Sequence, residues 1–381
     1  MRTEIVTRME ISLDNLLFNY QQIKQHVGPA EVVPVLKNNA YGHGAIPLAK
    51  ALQNAGCDHL AVAMVDEGIQ LRRAGITAEI MVLGVTLLQQ LPVMVEYGLT
   101  PSIGNMDVLR QWAQLAEESG RQLPVHLAVD VGLGRLGFQP EQANEVLALV
   151  RELPQLEIRG IRTHLSHPAG GRELNDEEFA RFQQFCEPFL PEYPHLVRHL
   201  AASKAVLLYP HMYLDLVRVG GILYGFKYDY CPATLQLKPV LSYSTRVGQV
   251  KTLPPGWGVG YGRSYVVQKP TRVALLPIGW SDGLYNQHIG KAQMLVGGEF
   301  ATLIGACTDF AMLDVTHLPQ VKAGDEVVII GTQGSRSQSV DEFASAAEVT
   351  PSQLLGRTSL RVTRLYTKGG VVQEELSILS M

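Results

Sequence analysis

From about residue 31 to about residue 225, short apolar runs typical of β-strands alternate with stretches whose apolar residues recur at helical spacing. Continuous apolar runs are typical of parallel strands that are buried on both faces. Eight such runs, roughly 26 residues apart, favour a (β/α)8 barrel, although an open doubly wound sheet has similar units. The runs cover residues 31–36, 59–64, 79–84, 99–104, 125–130, 157–164, 196–201 and 214–220.

The pattern also predicts helices, and it changes towards the C-terminus. Helices are predicted over residues 14–26, with Ser12 or Asp14 as N-cap, and over 105–118, 141–152 and 176–189. After about residue 235, short alternating runs are separated by Pro and Gly, which is typical of antiparallel strands. We therefore predict an α/β chain with a (β/α)8 barrel over residues 1–230 and a mainly antiparallel β domain over residues 231–381.

Composition narrows the class of protein. With 46% hydrophobic and 18% charged residues, the chain has enough apolar side chain for large cores and is not typical of disordered proteins. Its 32 basic and 36 acidic residues are dispersed, so no nucleic-acid partner is expected. The four cysteines lack metal-ligand spacing, and the sequence shows no signal peptide or membrane-length apolar run. We expect a soluble, cytoplasmic protein without a metal site.

Several side chains follow the ends of the apolar runs, where barrel enzymes carry their reactive groups. Lys37 ends the first run in an apolar context that would lower its pKa, as a nucleophilic amine requires, although a solvated loop lysine has the same spacing. The hydroxyl of Tyr41 could bind a ligand, or Tyr41 could be a packed core residue. Arg135 lies among glycines and suits a carboxylate, or alternatively a surface salt bridge.

The later runs carry a second group of candidates. Ser203 follows the seventh run, and Gly220 and Gly221 follow the eighth, where barrel enzymes often bind phosphate. We favour phosphate binding over a tight turn, and hence expect a phosphorylated cofactor. Taken singly, His164 is more typical of a hydrogen-bonded core histidine, and Arg218 of an arginine that pairs with an acid. Tyr261 lies between glycines in an exposed loop, where it could also shield a hairpin.

Five segments, in this order and spacing, resemble the alanine racemase family over nearly the whole chain: VLKNNAYGHG, VDVGLGRLGF, RTH, VRVGGILYG and VGYGRSY. The resemblance implies a pyridoxal 5'-phosphate (PLP) enzyme that interconverts L- and D-alanine with two bases. Lys37 would hold PLP and act as one base, and Tyr261 of the partner subunit would be the other. It therefore implies a homodimer with shared active sites and, as its role, D-alanine supply for peptidoglycan.

The resemblance also implies the remaining roles. Arg218 would contact the pyridine nitrogen, His164 would lie between Arg218 and Tyr261, and Arg135 and the backbone of Thr308 would bind the substrate carboxylate. The phosphate group would be bound by Tyr41, Ser203, Gly220 and Gly221.

Five positions depart from the family pattern, and most of them lie around the substrate. Ala128 replaces a lysine that steadies the carboxylate-binding arginine, and Leu360 replaces a gate tyrosine. The others are Ala202, Trp280 and Thr308. These changes leave open the same chemistry on another amino acid, such as serine or one with a larger or more polar side chain. A PLP decarboxylase and a PLP-binding protein without activity are further alternatives.

Overall fold

The computed structural model describes residues 5–378. A first strand, β1 (Arg8–Ser12), precedes eight strands, one in each of the predicted apolar runs. Their inner positions are nearly all buried, as expected for strands covered on both faces. The eight strands are β2 (Glu31–Pro34), β3 (His59–Val62), β4 (Glu79–Val82), β5 (Thr100–Ile103), β6 (Leu123–Ala128), β7 (Leu156–Arg162), β8 (Val197–His199) and β9 (Leu216–Val219).

These eight parallel strands form a closed ring. Strands β3 to β8 pair in chain order, and β2 pairs with β9. Two parallel bridges, Val35–Ala61 and Ala202–Arg218, join β2 to β3 and β8 to β9. The chain therefore folds as a barrel, as predicted, and not as an open sheet.

Helices cover the outside of the barrel, and the four predicted helices are present. Ser12 is the N-cap of the first, because its hydroxyl accepts a hydrogen bond from the Asn15 N–H at 3.1 Å. Asn105 caps the sixth in the same way. These helices are α1 (Leu13–Val27), α3 (Ala45–Asn54), α4 (Val65–Arg73), α5 (Leu91–Glu96), α6 (Met106–Ser119), α7 (Ala143–Arg151), α8 (Arg172–Cys186) and α9 (Ser203–Leu208), whereas α2 (Lys37–Tyr41) is a single left-handed turn.

The rest of the chain forms a largely antiparallel β domain, in which β1 also takes part. β1 lies between an antiparallel and a parallel neighbour, with Arg8 paired to Ser244 and to Thr363. The further strands and helices are β10 (Leu241–Arg246), β11 (Gln249–Leu253), β12 (Gly258–Val259), β13 (Tyr265–Val266), β14 (Thr271–Leu276), β15 (Gln293–Val296), β16 (Glu299–Ala306), β17 (Ala311–Asp314), β18 (Glu326–Gln333), β19 (Arg336–Gln338), α10 (Val340–Ser345), α11 (Pro351–Leu355), β20 (Thr363–Lys368) and β21 (Val371–Leu376). The neighbours of β1 are β10 and β20.

An ion-pair cluster joins the N-terminal ends of three barrel strands. His59 lies between Glu31 and Glu79, and Arg159 also contacts Glu79. Hydrogen bonds to Glu31 and Glu79 raise the pKa of His59 to about 10. Burial alone would raise the pKa of Glu79, but the bond from His59 and the charge of Arg159 outweigh it and lower the pKa to about 2. In barrel enzymes, groups at this end contribute to stability and not to catalysis.

Candidate active site

Lys37 lies just beyond the C-terminal end of β2, at the start of a left-handed turn. Asn38, Asn39, Ala40 and Tyr41 all have φ between 51° and 54°. This region costs an L-residue roughly 1–2 kcal/mol, and only the asparagines visit it readily. Such strain persists only where the surroundings hold the backbone in place.

Side chains from both domains stabilise this turn. The Glu67 carboxylate accepts hydrogen bonds from the backbone N–H of Asn38 and from two amides at the end of β3. From the β domain, Arg364 Nε donates to the Gly42 carbonyl at 2.8 Å. A Cβ at Gly42 would lie 2.2 Å from the Leu355 carbonyl oxygen, so only glycine fits there. The position of Lys37 thus depends on residues far from it in sequence.

The environment of Lys37 disfavours its charged form. Burial lowers the pKa of its amine, and the positive charges of Arg135 and Arg218 lower it further, while Glu67 partly opposes them. Its Nζ lies 5.9 Å from the centre of the Tyr41 ring. An amine with a lowered pKa has a larger neutral fraction at pH 7, which is the nucleophilic form.

Arg218 is buried on β9 and held by four acceptors. Its guanidinium donates to His199 Nδ1 at 2.7 Å, to the Thr163 carbonyl at 2.6 Å, and to two further carbonyls. His199 in turn bonds His126 at 2.9 Å. Burial lowers the pKa of Arg218 to about 10, which still leaves the group cationic at pH 7. The barrel mouth therefore presents a fixed cationic donor.

A small cradle lies where β8 and β9 end. Ser203 Oγ accepts a hydrogen bond from the Gly220 N–H at 3.0 Å. A Cβ at Gly220 would lie 2.7 Å from the Tyr41 hydroxyl, and one at Gly221 would lie 2.2 Å from the Tyr228 hydroxyl. Hydroxyls and backbone amides thus converge where no side chain intervenes, which is the donor set that suits a phosphate group.

His164 and Arg135 complete the barrel mouth. Burial and the nearby charges of Arg218 and Arg135 lower the pKa of His164 to about 3, so its ring is neutral. Asp130, at the end of β6, shapes the loop by accepting N–H bonds from Gly132, Gly134 and Arg135. Burial raises the pKa of Asp130 less than these bonds lower it, so the carboxylate stays charged.

Tyr261 lies on the β domain, apart from this group. Its side chain is 72% exposed, and its ring contacts Trp280 at 6.0 Å between centres. The flanking Gly260 and Gly262 have φ of 69° and 67°, which lifts the tyrosine on a tight turn. Within residues 5–378, no hydrogen bond joins Tyr261 to Lys37.

Thr308 lies on the same part of the β domain, in a loop held by an ion-pair clamp. Arg361 binds Asp282 through two hydrogen bonds of 2.7 Å and Asp309 through one of 2.6 Å. The Thr308 carbonyl accepts the Ser281 N–H at 3.2 Å. Paired guanidinium–carboxylate bonds fix geometry as well as charge, so the clamp defines where the exposed Thr308 lies.

Arg162 lies beside Ala128, the position at which the resemblance implied a lysine. Ala128 is fully buried on β6, and its partner in register on β7 is Arg162. The Arg162 guanidinium is buried and donates to the Leu83 carbonyl at 2.6 Å. A cationic side chain thus lies beside Ala128. Trp280 and Leu360 are two of the other positions that were predicted to depart from the family pattern. Of these, Trp280 contacts Tyr261, and Leu360 is exposed.

The structure brings most of the predicted residues together and separates two of them. Tyr261 and Thr308 share a face of the β domain. Sequence reasoning missed Glu67, Asp130 and Arg162; of these, only Asp130 had a signal, since it ends a predicted strand. The residues that meet at the barrel mouth are Lys37, Tyr41, Arg135, His164, Ser203, Arg218, Gly220 and Gly221.

Comparisons with known proteins agree with this arrangement. The family model for the alanine racemase N-terminal domain matches residues 11–228, and the model for the C-terminal domain matches residues 240–366. The alanine racemase of Clostridium kluyveri is 35% identical over 374 residues, which cover 95% of this chain and 94% of that protein.

Solved structures show the same fold. The alanine racemase of Clostridium difficile 630 superposes with a TM-score of 0.90 at 30% identity, covering 99% of each chain. The alanine racemase of Bartonella henselae, described with covalently bound pyridoxal phosphate, has a TM-score of 0.85 at 26% identity, covering 95% of this chain and 99% of that one. These comparisons favour a racemase over a decarboxylase, and alanine over another amino acid. The chain is an enzyme that belongs to the PLP-dependent alanine racemase family.

Proposed function

We propose that this enzyme interconverts L- and D-alanine with PLP, using Lys37 and Tyr261 of the partner subunit as its two acid–base groups. The observation that carries the proposal is the amine of Lys37, with its lowered pKa, beside a phosphate-type cradle and a fixed guanidinium. The relatives named above are alanine racemases, which supports alanine as the substrate.

The residues at the barrel mouth fit PLP. The cradle of Ser203, Gly220 and Gly221 would take its phosphate, with the Tyr41 hydroxyl as a further donor. Arg218 would donate to the pyridine nitrogen. Because an arginine does not give up its proton at neutral pH, that nitrogen would stay unprotonated. When bound, PLP supplies the electron sink that makes the Cα–H bond of the amino acid acidic.

Racemisation requires proton removal and proton return on opposite faces of Cα. The Lys37 amine acts as the base on one face of Cα. A second base, from another element, must lie on the opposite face. Tyr261 is exposed and has no hydrogen bond to Lys37 within the described chain. A phenolate is stabilised beside a cation, and the guanidinium of Arg218 would supply that charge, with the neutral ring of His164 between the two groups.

The second base implies a homodimer in which each β domain covers the other barrel. Exposed apolar side chains support this arrangement on both surfaces. Leu87 and Leu88 project from the barrel rim, and Trp257 and Phe310 lie on the β domain with Tyr261. Exposed apolar clusters of this kind are typical of protein–protein contacts.

The substrate carboxylate would be bound between the two subunits. Arg135 offers a guanidinium at the barrel mouth, and the backbone N–H of Thr308 would be offered by the partner subunit's loop. A bidentate guanidinium contact fixes the orientation of a carboxylate and leaves the Cα–H bond to face its base.

We infer a cytoplasmic enzyme that supplies D-alanine for peptidoglycan. Of the helices within residues 5–378, none is both long and apolar enough to span a membrane. The family assignment supports D-alanine supply as the role of such an enzyme.

The test measures racemisation of L- and D-alanine separately in Tyr261→Phe. Since L- and D-alanine have equal free energy, loss of one base should slow racemisation equally in both directions, whereas exchange of the Cα proton with solvent deuterium should be lost for one enantiomer only, and the visible absorbance of PLP should remain. Tyr265→Phe, which changes a tyrosine in the same loop region, is the matched control and should retain activity. Unchanged rates in both directions would show that Tyr261 is not a base. A panel of L-amino acids with chiral product analysis should give D-alanine as the main product, and its absence would overturn the substrate assignment.

A further inference from the structure

A pair of buried histidines is connected to the guanidinium of Arg218. His126 belongs to β6 and His199 ends β8, and these residues are 4% and 0% exposed. Nδ1 of His126 lies 2.9 Å from Nε2 of His199, and Nδ1 of His199 lies 2.7 Å from Nη1 of Arg218. The function proposed above gives neither histidine a role, although His199 contacts the group that would donate to the pyridine nitrogen.

The chemistry of the three groups determines where each proton lies. A guanidinium only donates, so Nδ1 of His199 accepts and the proton of this ring lies on Nε2. This N–H donates to Nδ1 of His126, whose own proton therefore lies on Nε2. Burial lowers the pKa of His126 to about 4 and that of His199 well below its ordinary value, so both rings are neutral at pH 7. The result is a chain of hydrogen bonds with one direction of donation, from Arg218 through His199 to His126.

A glycine on the neighbouring strand leaves room for this chain. A Cβ at Gly160, on β7, would lie 2.5 Å from Nδ1 of His126, the atom that accepts from His199. It would also lie 2.5 Å from the carbonyl oxygen of Val197, on β8. A larger residue would displace the accepting nitrogen, so the bond between the two rings requires glycine at this position.

The contacts of Arg218 also decide which of its N–H groups remains for a ligand. Nη1 donates to the ring and to the carbonyl of His199, and Nη2 donates to the carbonyls of Thr163 and Leu200. These four bonds use the four N–H groups of the two terminal nitrogens. The Nε–H is left over, so a guanidinium held in this way offers one donor for the bond to the pyridine nitrogen.

We propose that His126 and His199 are positioning residues, which hold Arg218 so that its Nε–H is the donor offered to the pyridine nitrogen. Neighbouring hydrogen bonds polarise one another, so His199 accepts more strongly from Arg218 because its other nitrogen donates to His126. His126 therefore acts on the guanidinium indirectly, through His199. This inference rests on the proposed function, because it requires the pyridine nitrogen of PLP as the partner of Arg218.

The first test locates the ring protons by nitrogen NMR of the holoenzyme with isotope-labelled histidine. His126 and His199 should each have one protonated ring nitrogen, Nε2, and His126→Leu and His199→Leu assign the signals. A doubly protonated ring, or a proton on Nδ1 of either histidine, would overturn the proposal. This measurement does not use activity. A wild-type enzyme that fails to racemise alanine would instead refute the proposed function, whatever the proton positions.

The second test measures a side reaction with alanine, in which PLP takes the amino group and pyridoxamine phosphate and pyruvate are formed. If the guanidinium is loosened, the pyridine nitrogen can take a proton, and the cofactor then draws more negative charge away from Cα. The ratio of this side reaction to racemisation should rise about tenfold in His126→Leu, the equivalent of about one hydrogen bond. Because both rates come from the same molecules, their ratio does not depend on how much of the variant folds.

Two further variants separate positioning from packing. His126→Asn puts an accepting oxygen near the place of Nδ1 and should bring the ratio back close to that of the wild type. His288→Leu removes a fully buried histidine of the β domain, which bonds the Phe343 carbonyl at 3.1 Å, and should leave the ratio unchanged. An unchanged ratio in His126→Leu would overturn the proposal. Equal rises in His126→Leu and His288→Leu, or no recovery in His126→Asn, would also overturn it.

Discussion

Glu67→Gln is expected to destabilise the enzyme through the turn that carries Lys37. The two carboxylate oxygens of Glu67 accept three backbone N–H bonds, from Asn38, Ala63 and Met64. They therefore tie the first residue of the left-handed turn to the end of the neighbouring barrel strand. An amide in this position keeps one accepting oxygen and turns its NH2 group towards a donor.

The expected loss of stability follows from the number of hydrogen bonds that Glu67 accepts. At least one hydrogen bond to a charged acceptor is lost, and the others become bonds to a neutral oxygen. Since a bond to a charged group contributes about 1.5–3 kcal/mol, Glu67→Gln should lower the free energy of unfolding by about 2–4 kcal/mol. Positive φ at Ala40 and Tyr41, which have no preference for it, costs roughly 2–4 kcal/mol, so the loss of the Glu67 bonds is comparable to the cost of the turn.

Urea unfolding at pH 7 measures the effect, with Asp66→Asn as the matched control. Asp66 is exposed and lies in the same first turn of α4, so its substitution removes the same charge without a bond to the Lys37 turn. The control should lose under about 1 kcal/mol, from its interaction with the helix dipole. If the two variants unfold within about 1 kcal/mol of each other, the Glu67 bonds do not hold the turn as argued.

Three further predictions concern other parts of the molecule. Arg361→Gln loosens the clamped loop of Thr308 and should raise the KM for alanine about tenfold with a smaller change in kcat; steady-state kinetics with both parameters unchanged would exclude a positioning role. Gly42→Ala should destabilise by about 1–3 kcal/mol more than Gly56→Ala in thermal or urea unfolding, because both glycines have positive φ, 84° and 81°, but only Gly42 has backbone against its missing Cβ. The folded pKa of His59, about 10, lies above its unfolded value of 6.5, so its contribution is complete below pH 6.5 and is lost as the pH rises through 10. Between pH 7 and pH 10 the free energy of unfolding should fall more steeply in the wild type than in His59→Gln; parallel pH profiles would contradict this pKa.

The local sequence pattern was sufficient to predict the barrel strands, but it was not sufficient to predict that they close into a ring. Each of the eight apolar runs contains a strand, because burial on both faces requires continuous apolar sequence. Closure depends on pairing between β2 and β9, which are far apart in the chain and carry no mutual signal. The position of β1 could not be predicted from the sequence either, because its partners β10 and β20 are distant in the chain.

The site shows the same division between local and distant determinants. Lys37 and Arg218 were found because they stand at strand ends, where barrel enzymes place reactive groups. Glu67 was missed because its role exists only after β2 and β3 lie side by side. The left-handed turn was missed as well, because Ala40 and Tyr41 have no preference for positive φ. Their conformation is imposed by the fold around them.

Because β1 pairs with β20, this part of the sheet can form only late in synthesis. β1 leaves the ribosome before the other strands of residues 5–378, yet the parallel partner of Arg8 is Thr363, 355 residues later. At roughly 5–20 residues per second, β1 waits about 20–70 seconds for that partner while the barrel strands emerge and pair. Until then one edge of β1 has no strand to pair with, and an open strand edge favours aggregation. A chain that ended before β20 would keep this edge of β1 unpaired.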